Sequence, residues 1–247
     1  RDRVNAPKTL AQVAEDHALE SVPLSERKSG FKLAMSPVGV ATALVIFAIA
    51  GFTVMLAGFW LGLLAGIIIT IIGILLGYFL GNISRITGMS NTVTSRFFGL
   101  GFKGSALGGI VFTFMILGFL AMESALLYEG TLLMFELPDS WFWRILIYGI
   151  LTLLWILLAI FGLELALKTS TVLTIITLLV TVYMLIEIYV IRGVSPMVVI
   201  NFEGIVPGDN WAKLQAALGL VGATAGTIAL VTTDFARYCR HKKDVAV

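Results

Sequence analysis

A single carboxylate stands inside an otherwise apolar stretch of this chain: Glu123, within Leu107–Leu127. Placing a carboxylate at the centre of a bilayer costs about 2.5–3.5 kcal/mol on insertion scales, so an acid there reads as a functional group that hydrogen-bonds a ligand or exchanges a proton. The plainer reading is a side chain near the outer end that reaches interfacial water. A second charged group follows the last apolar stretch, in Thr232-Thr233-Asp234-Phe235-Ala236-Arg237-Tyr238-Cys239-Arg240. An aspartate at a helix C-terminus opposes the macrodipole, at about 0.3–1 kcal/mol. Arg237, three residues on, recovers about 0.2–0.5 kcal/mol. Glu187, close to the end of another apolar stretch, reads as interfacial.

Glycine and threonine supply the remaining chemistry. Gly219-Leu220-Val221-Gly222-Ala223-Thr224-Ala225-Gly226-Thr227 is rich in small residues. Such residues let helices approach closely, which makes the string a packing face. They also suit a broken helix, whose freed backbone groups bind substrate or ion at the midplane of many transporters. Ala48-Ile49-Ala50-Gly51-Phe52-Thr53 is a weaker counterpart in the first stretch. Two interrupted segments at matching positions point to an inverted repeat, with Gly51, Phe52, Gly222, Thr224 and Thr227 lining a site. One cysteine, Cys239, and two histidines, His17 and His241, leave no internal disulfide and no zinc or haem site to expect. Hydrolase and metalloprotease motifs are missing, so no catalytic residue and no cofactor is assigned.

These groups are carried by six apolar stretches: Pro37–Phe59, Leu61–Leu80, Leu107–Leu127, Phe142–Gly162, Thr169–Ile191 and Leu214–Thr232. A spanning helix needs about 20 apolar residues, each adding about 1.5 Å across about 30 Å of hydrocarbon. Continuous apolarity selects helices over a β-barrel, so the class is all-α integral membrane, with the lipid bilayer as solvent. Composition agrees: 58% hydrophobic and 13% charged, against about 45–50% and about 25% in soluble domains. The net charge of +2 does not point to nucleic acid.

Basic residues set the orientation. Arg27, Lys28 and Lys32 precede the first span, Arg85, Arg96 and Lys103 join spans two and three, and Arg237, Arg240, Lys242 and Lys243 follow the last. The link after span three holds Glu129, Glu136 and Asp139 before Arg144. The positive-inside bias puts both termini in the cytoplasm, with Trp141, Trp143 and Trp211 near the outer boundary. The triplet Asn82-Ile83-Ser84 then lies on the wrong side for glycosylation. Residues 1–30 read as a polar tail, with one or two amphipathic turns at Leu10–Leu19 or disorder. Residues 31–247 read as a partial transmembrane domain. The chain starts without Met and its last span ends near the terminus, which predicts a fragment.

The string Asp234–Arg240 resembles the Asp-(Phe/Tyr)-x-Arg-(Phe/Tyr) signature after the sixth helix of the nucleobase–cation symport family, the cytosine/purine permeases. Thr87-Gly88-Met89-Ser90-Asn91-Thr92-Val93-Thr94-Ser95-Arg96-Phe97-Phe98-Gly99, followed by Lys103-Gly104-Ser105, is similar to that family's stretch between helices two and three. Val22-Pro23-Leu24-Ser25-Glu26-Arg27-Lys28 is similar to its lead-in to helix one. The similarity runs from about Ser21 to the C-terminus. It implies the first repeat plus helix six of a leucine-transporter-type five-plus-five inverted-repeat fold, in a plasma (inner) membrane.

The resemblance implies a secondary transporter that imports a nucleobase or related small heterocycle with H+ or Na+. It also marks helix three, where the family usually places a Gln and a Trp against the base. Here those positions hold Ile116, which offers no hydrogen bond, and Phe119, which can stack on a planar ring. Glu123 is one turn beyond Phe119 on the same face. In the 2–3 link, Ser90 is expected to cap a short helix whose Val93 and Phe97 share a face. Arg85 or Arg96 would then meet Asp234, beside Arg237, as an inner ionic latch, or else touch lipid headgroups. The alternatives are an amino-acid or amine permease of the same fold and a non-transporting scaffold. In an isolated fragment, helix six is expected to stay continuous or to pack loosely, and the fragment to transport nothing by itself.

Overall fold

In a computed structural model the described residues are 21–41, 43–160 and 162–246. The expectations for residues 1–20, including His17 and the Leu10–Leu19 turns, lie outside them. Every extended apolar element is a helix, and among the described residues the only β-pairing is one isolated parallel bridge, Lys28 to Cys239. The elements used below are α1 (Gly30–Ala41), α2 (Leu44–Ala57), α3 (Phe59–Thr87), α4 (Asn91–Ser95), α5 (Gly101–Phe135), α6 (Trp141–Ile160), α7 (Gly162–Ile186), α8 (Met197–Ile200) and α9 (Asn210–Ala236).

Among the described residues, five helical segments are long and apolar enough to cross a membrane: α3, α5, α6, Lys168–Ile191 and α9. Their outer faces carry exposed Leu, Ile and Phe, such as Leu153, Leu179 and Phe114. Water does not solvate so much contiguous apolar surface, and lipid does. The chain is therefore an all-helical integral membrane protein.

The expected first span is not one helix. It is α1 and α2, of 12 and 14 residues, with Ala43 extended (φ −67°, ψ 145°) at the start of α2. A 14-residue helix rises only about 21 Å, too short to cross alone. The interruption thus falls before Leu44 rather than at Gly51, which sits inside unbroken α2. Helix six is not interrupted at all, since α9 runs from Asn210 to Ala236 through Gly219, Gly222 and Gly226.

Packing decides that outcome. Ala217, Val221, Ala225, Ala229 and Thr233 recur every four residues and are the buried face of α9. They lie along α3, whose buried positions are Gly62, Ala65, Gly77, Gly81 and Ser84. The two helices run parallel. A Cβ on Gly73 would touch Ala225 at 3.8 Å, and one on Gly81 would meet Ala236 Cβ at 3.2 Å. Small residues at this spacing give van der Waals contact between backbones, the main attraction available between helices in lipid.

Beyond the C-terminal end of α2, the segment before α9 folds over the turn between α2 and α3. Ile205 N–H donates to Met55 O (2.9 Å), Val206 N–H to Leu56 O (3.1 Å) and Phe59 N–H to Phe202 O (3.0 Å). The last carbonyls of α2 are thereby satisfied. Gly58 and Gly204 both have φ +85°, and a Cβ on either would lie within 2.6 Å of the other segment's backbone. No other residue fits this crossing.

Candidate functional site

α2 begins without a cap of its own, because Ala43 carries no side-chain oxygen. Its first amides would be orphaned among apolar neighbours. Glu123 of α5 supplies the acceptors. Leu44 N–H donates to Oε1 (3.1 Å) and Val45 N–H to Oε2 (2.9 Å), across 79 and 78 residues of sequence. The carboxylate meets the positive end of the α2 dipole. Glu123 stands twelve residues before Phe135, roughly 18 Å in from that end of α5. It is half-buried, and its carboxylate is held by the two α2 amides.

The other expected ligand residues do not close around it as a pocket. Phe119 is half-buried, Ile116 is 37% exposed and Phe52 is 53% exposed. Gly51 and Gly222 face open space. Thr224 and Thr227 hydroxyls donate within α9, to Val221 O (2.5 Å) and Ala223 O (3.0 Å), and Thr227 Oγ1 also reaches Met115 Sδ of α5 at 3.2 Å. An open cleft of about 520 Å³ lies on a different face of α5, lined by Thr92, Gly109, Ile110, Thr113, Phe114 and Leu117.

A second cap in trans lies at the C-terminal end of α9. Asn91 N–H, at the start of α4, donates to Asp234 Oδ1 of α9 (3.1 Å). Ser90 makes no side-chain cap bond to α4. Val93 is buried but Phe97 is 67% exposed, so the pair does not share a packed face. The arginines expected to latch onto Asp234 are engaged elsewhere. Arg96 Nε donates to Ser105 Oγ (3.3 Å) with its guanidinium over the Phe102 ring, and Arg85 Nε lies 3.5 Å from Asn82 Oδ1. Arg237 Nε donates to the Asp234 carbonyl (3.2 Å) and its guanidinium stands over Tyr238.

The lead-in is part of this assembly and not a free tail. Val22 N–H donates to Gly88 O (2.9 Å), Ser21 Oγ to Thr87 O (2.8 Å) and Lys28 N–H to Tyr238 O (2.7 Å). Buried Arg27 donates through Nη1 to Arg85 O (2.7 Å), and Arg240 Nε donates to Arg27 O. Val22, Leu33, Tyr238 and Cys239 form the small core beneath. Burial pushes the Cys239 thiol up to about 11. The three strings singled out in the sequence therefore meet in one place. Sequence reasoning missed Arg27 as the residue that joins them, and it missed the α2 amides as the partner of Glu123. An arginine in an otherwise short polar lead-in was the available signal for the first. Nothing in Ala41-Thr42-Ala43-Leu44 signals the second.

The chain matches no protein-family model, no curated protein and no solved structure.

Proposed function

We propose that the chain is the substrate-binding part of a secondary transporter, importing a nucleobase or related small heterocycle with H+ or Na+, from a plasma or inner membrane with both termini cytoplasmic. One observation carries this reading: the first expected span is interrupted before Leu44, and a carboxylate from a helix long and apolar enough to cross a membrane sits on the interrupted end. Irregular backbone at membrane depth is tolerated where it lines a cavity or is buried in protein, and intramembrane acids mark ion and substrate paths. A passive scaffold has no use for either. Phe119, one turn from Glu123 on the same face, offers a ring on which a planar base stacks. The inner assembly of Arg27, Asp234 and Arg237 closes the cytoplasmic end.

Uptake of radiolabelled uracil, cytosine, adenine, leucine and choline by cells expressing the gene that encodes this chain tests the reading, with proton and sodium gradients imposed separately. Saturable, gradient-driven uptake of a base is expected. Uptake of leucine or choline alone would favour the amino-acid or amine alternative, and no uptake of any probe would leave a scaffold. Orientation is tested by maleimide labelling of Arg96→Cys and Glu136→Cys, which are expected to react from opposite sides. Native Cys239 contributes little background, because the buried thiol stays protonated at neutral pH and the thiolate is the reactive form.

A further inference from the structure

Glu123 does for α2 what a bound anion does for a helix N-terminus. Both carboxylate oxygens are used, one on each of two adjacent amides. The helix brings no acceptor of its own, since Ala43 is its N-cap. A ligand carboxylate entering the break would find the amides taken and a like charge beside it. From this we infer that Glu123 is a specificity-determining residue: an internal occupant that denies the interrupted end of the first membrane segment to carboxylate-bearing ligands. The inference deepens the transporter reading and rests on it for its meaning, but the occupancy itself is testable without transport.

The geometry has a direct corollary. Removing the side chain leaves two unsatisfied amides at the positive end of a helix, with space where the carboxylate stood. A small free carboxylate of matching shape then takes the position, as ligands restore deleted groups in cavity variants. Acetate is the probe, acetamide the neutral control of the same shape, and chloride the ionic-strength control. Glu123→Gly opens the position, and Glu123→Ala is read in the same way if glycine weakens α5 too far. Glu123→Gln keeps the shape and removes the charge.

In thermal denaturation of the detergent-solubilised chain, acetate is expected to raise the Tm of Glu123→Gly by about 2–4 °C over chloride or acetamide, the shift that one kcal/mol of ligand stabilisation gives at this size. The native chain and Glu123→Gln are expected not to respond. In uptake by cells carrying the full gene, orotate, which is uracil bearing a carboxylate, is expected to compete with uracil only in Glu123→Gly. No acetate shift in either deletion variant overturns the inference whatever the protein transports, and so does an equal shift in the native chain or equal competition by orotate in the native transporter. An acetate shift confined to the deletion variants, with no base taken up by the native protein, supports the inference and overturns the transporter reading instead.

Discussion

Two acidic side chains in this molecule perform the same act at different depths. Glu123 caps α2 and Asp234 caps α4, each from a distant helix, each on a helix whose own N-cap residue makes no side-chain cap bond. Their surroundings differ. Asp234 belongs to an inner assembly cross-linked by backbone bonds from Val22, Lys28 and Arg240, with Arg237 alongside. Glu123 has no such scaffolding: α5, which carries it, has only Ser105, Tyr128 and Leu132 as buried residues. The inner cap is one bond among many and holds a structure that is already held. The deeper cap is the direct polar link between α5 and the start of α2, so its loss frees both.

The comparison breaks most readily at Glu123. Glu123→Ala strips the acceptors from two amides, and each unsatisfied buried group costs about 1–3 kcal/mol. The largest drop in Tm of any single substitution here is expected, and a drop no larger than that of Asp234→Ala would erase the distinction. Next comes the seam that delivers Asp234. Gly81→Leu forces a side chain into Val245 Cγ1, which a Cβ alone would meet at 2.8 Å. Overpacking of this kind costs about 1–3 kcal/mol, read as a lowered unfolding midpoint together with faster proteolysis of the 240–246 segment. Asp234→Ala itself removes one cap bond, worth about 1 kcal/mol. Its signature is faster amide exchange at Asn91–Ser95, with little change at Leu44 and Val45.

The smallest effect concerns the outer tie that steadies α5. Tyr128 OH donates to Asp139 Oδ1 (2.6 Å), and Arg144 donates to the same carboxylate through Nε (2.8 Å) and Nη2. The Arg144 guanidinium, then the Tyr128 hydroxyl, hold the Asp139 carboxyl below its ordinary value. A carboxylate depressed in the native state adds stability above its unfolded pKa, near pH 4, and loses it as the pH falls through the native value. Asp139→Asn is therefore expected to flatten the acid limb of a Tm-against-pH curve while leaving the neutral plateau nearly unchanged.

Much of the fold was legible because apolar run length maps directly onto membrane thickness. Five of the six expected spans are long helices close to their expected positions, but the small-residue face expected at Gly219–Thr227 is carried by Ala217, Val221, Ala225 and Ala229, while Gly219, Gly222 and Gly226 face open space. The interruption was not legible at its true place. Glycine marked Gly51 and Gly222 as weak points, but inside a helix in lipid there is no water to compete for the backbone, and both stay helical. The break instead falls beside Ala43, where no turn residue stands, because its stability comes from Glu123, a contact 78 residues away. Long-range capping leaves no local trace. The inner site was half legible for the same reason: Asp234 and its neighbours stood out by type, but their partners are backbone amides and carbonyls, which every residue has.

The inner assembly also bears on how the chain is made. Arg240 reaches the Arg27 carbonyl across 213 residues of sequence, and Lys28 pairs with Cys239. The lead-in therefore waits for the segment that follows α9, and the entropy of closing so long a loop is met only once the intervening helices have compacted. The lead-in stays uncommitted during insertion and docks when α9 arrives beside α3. That contact reports on assembly: in a chain stalled or misthreaded at any earlier helix, Arg27 stays undocked and Val22 uncovered.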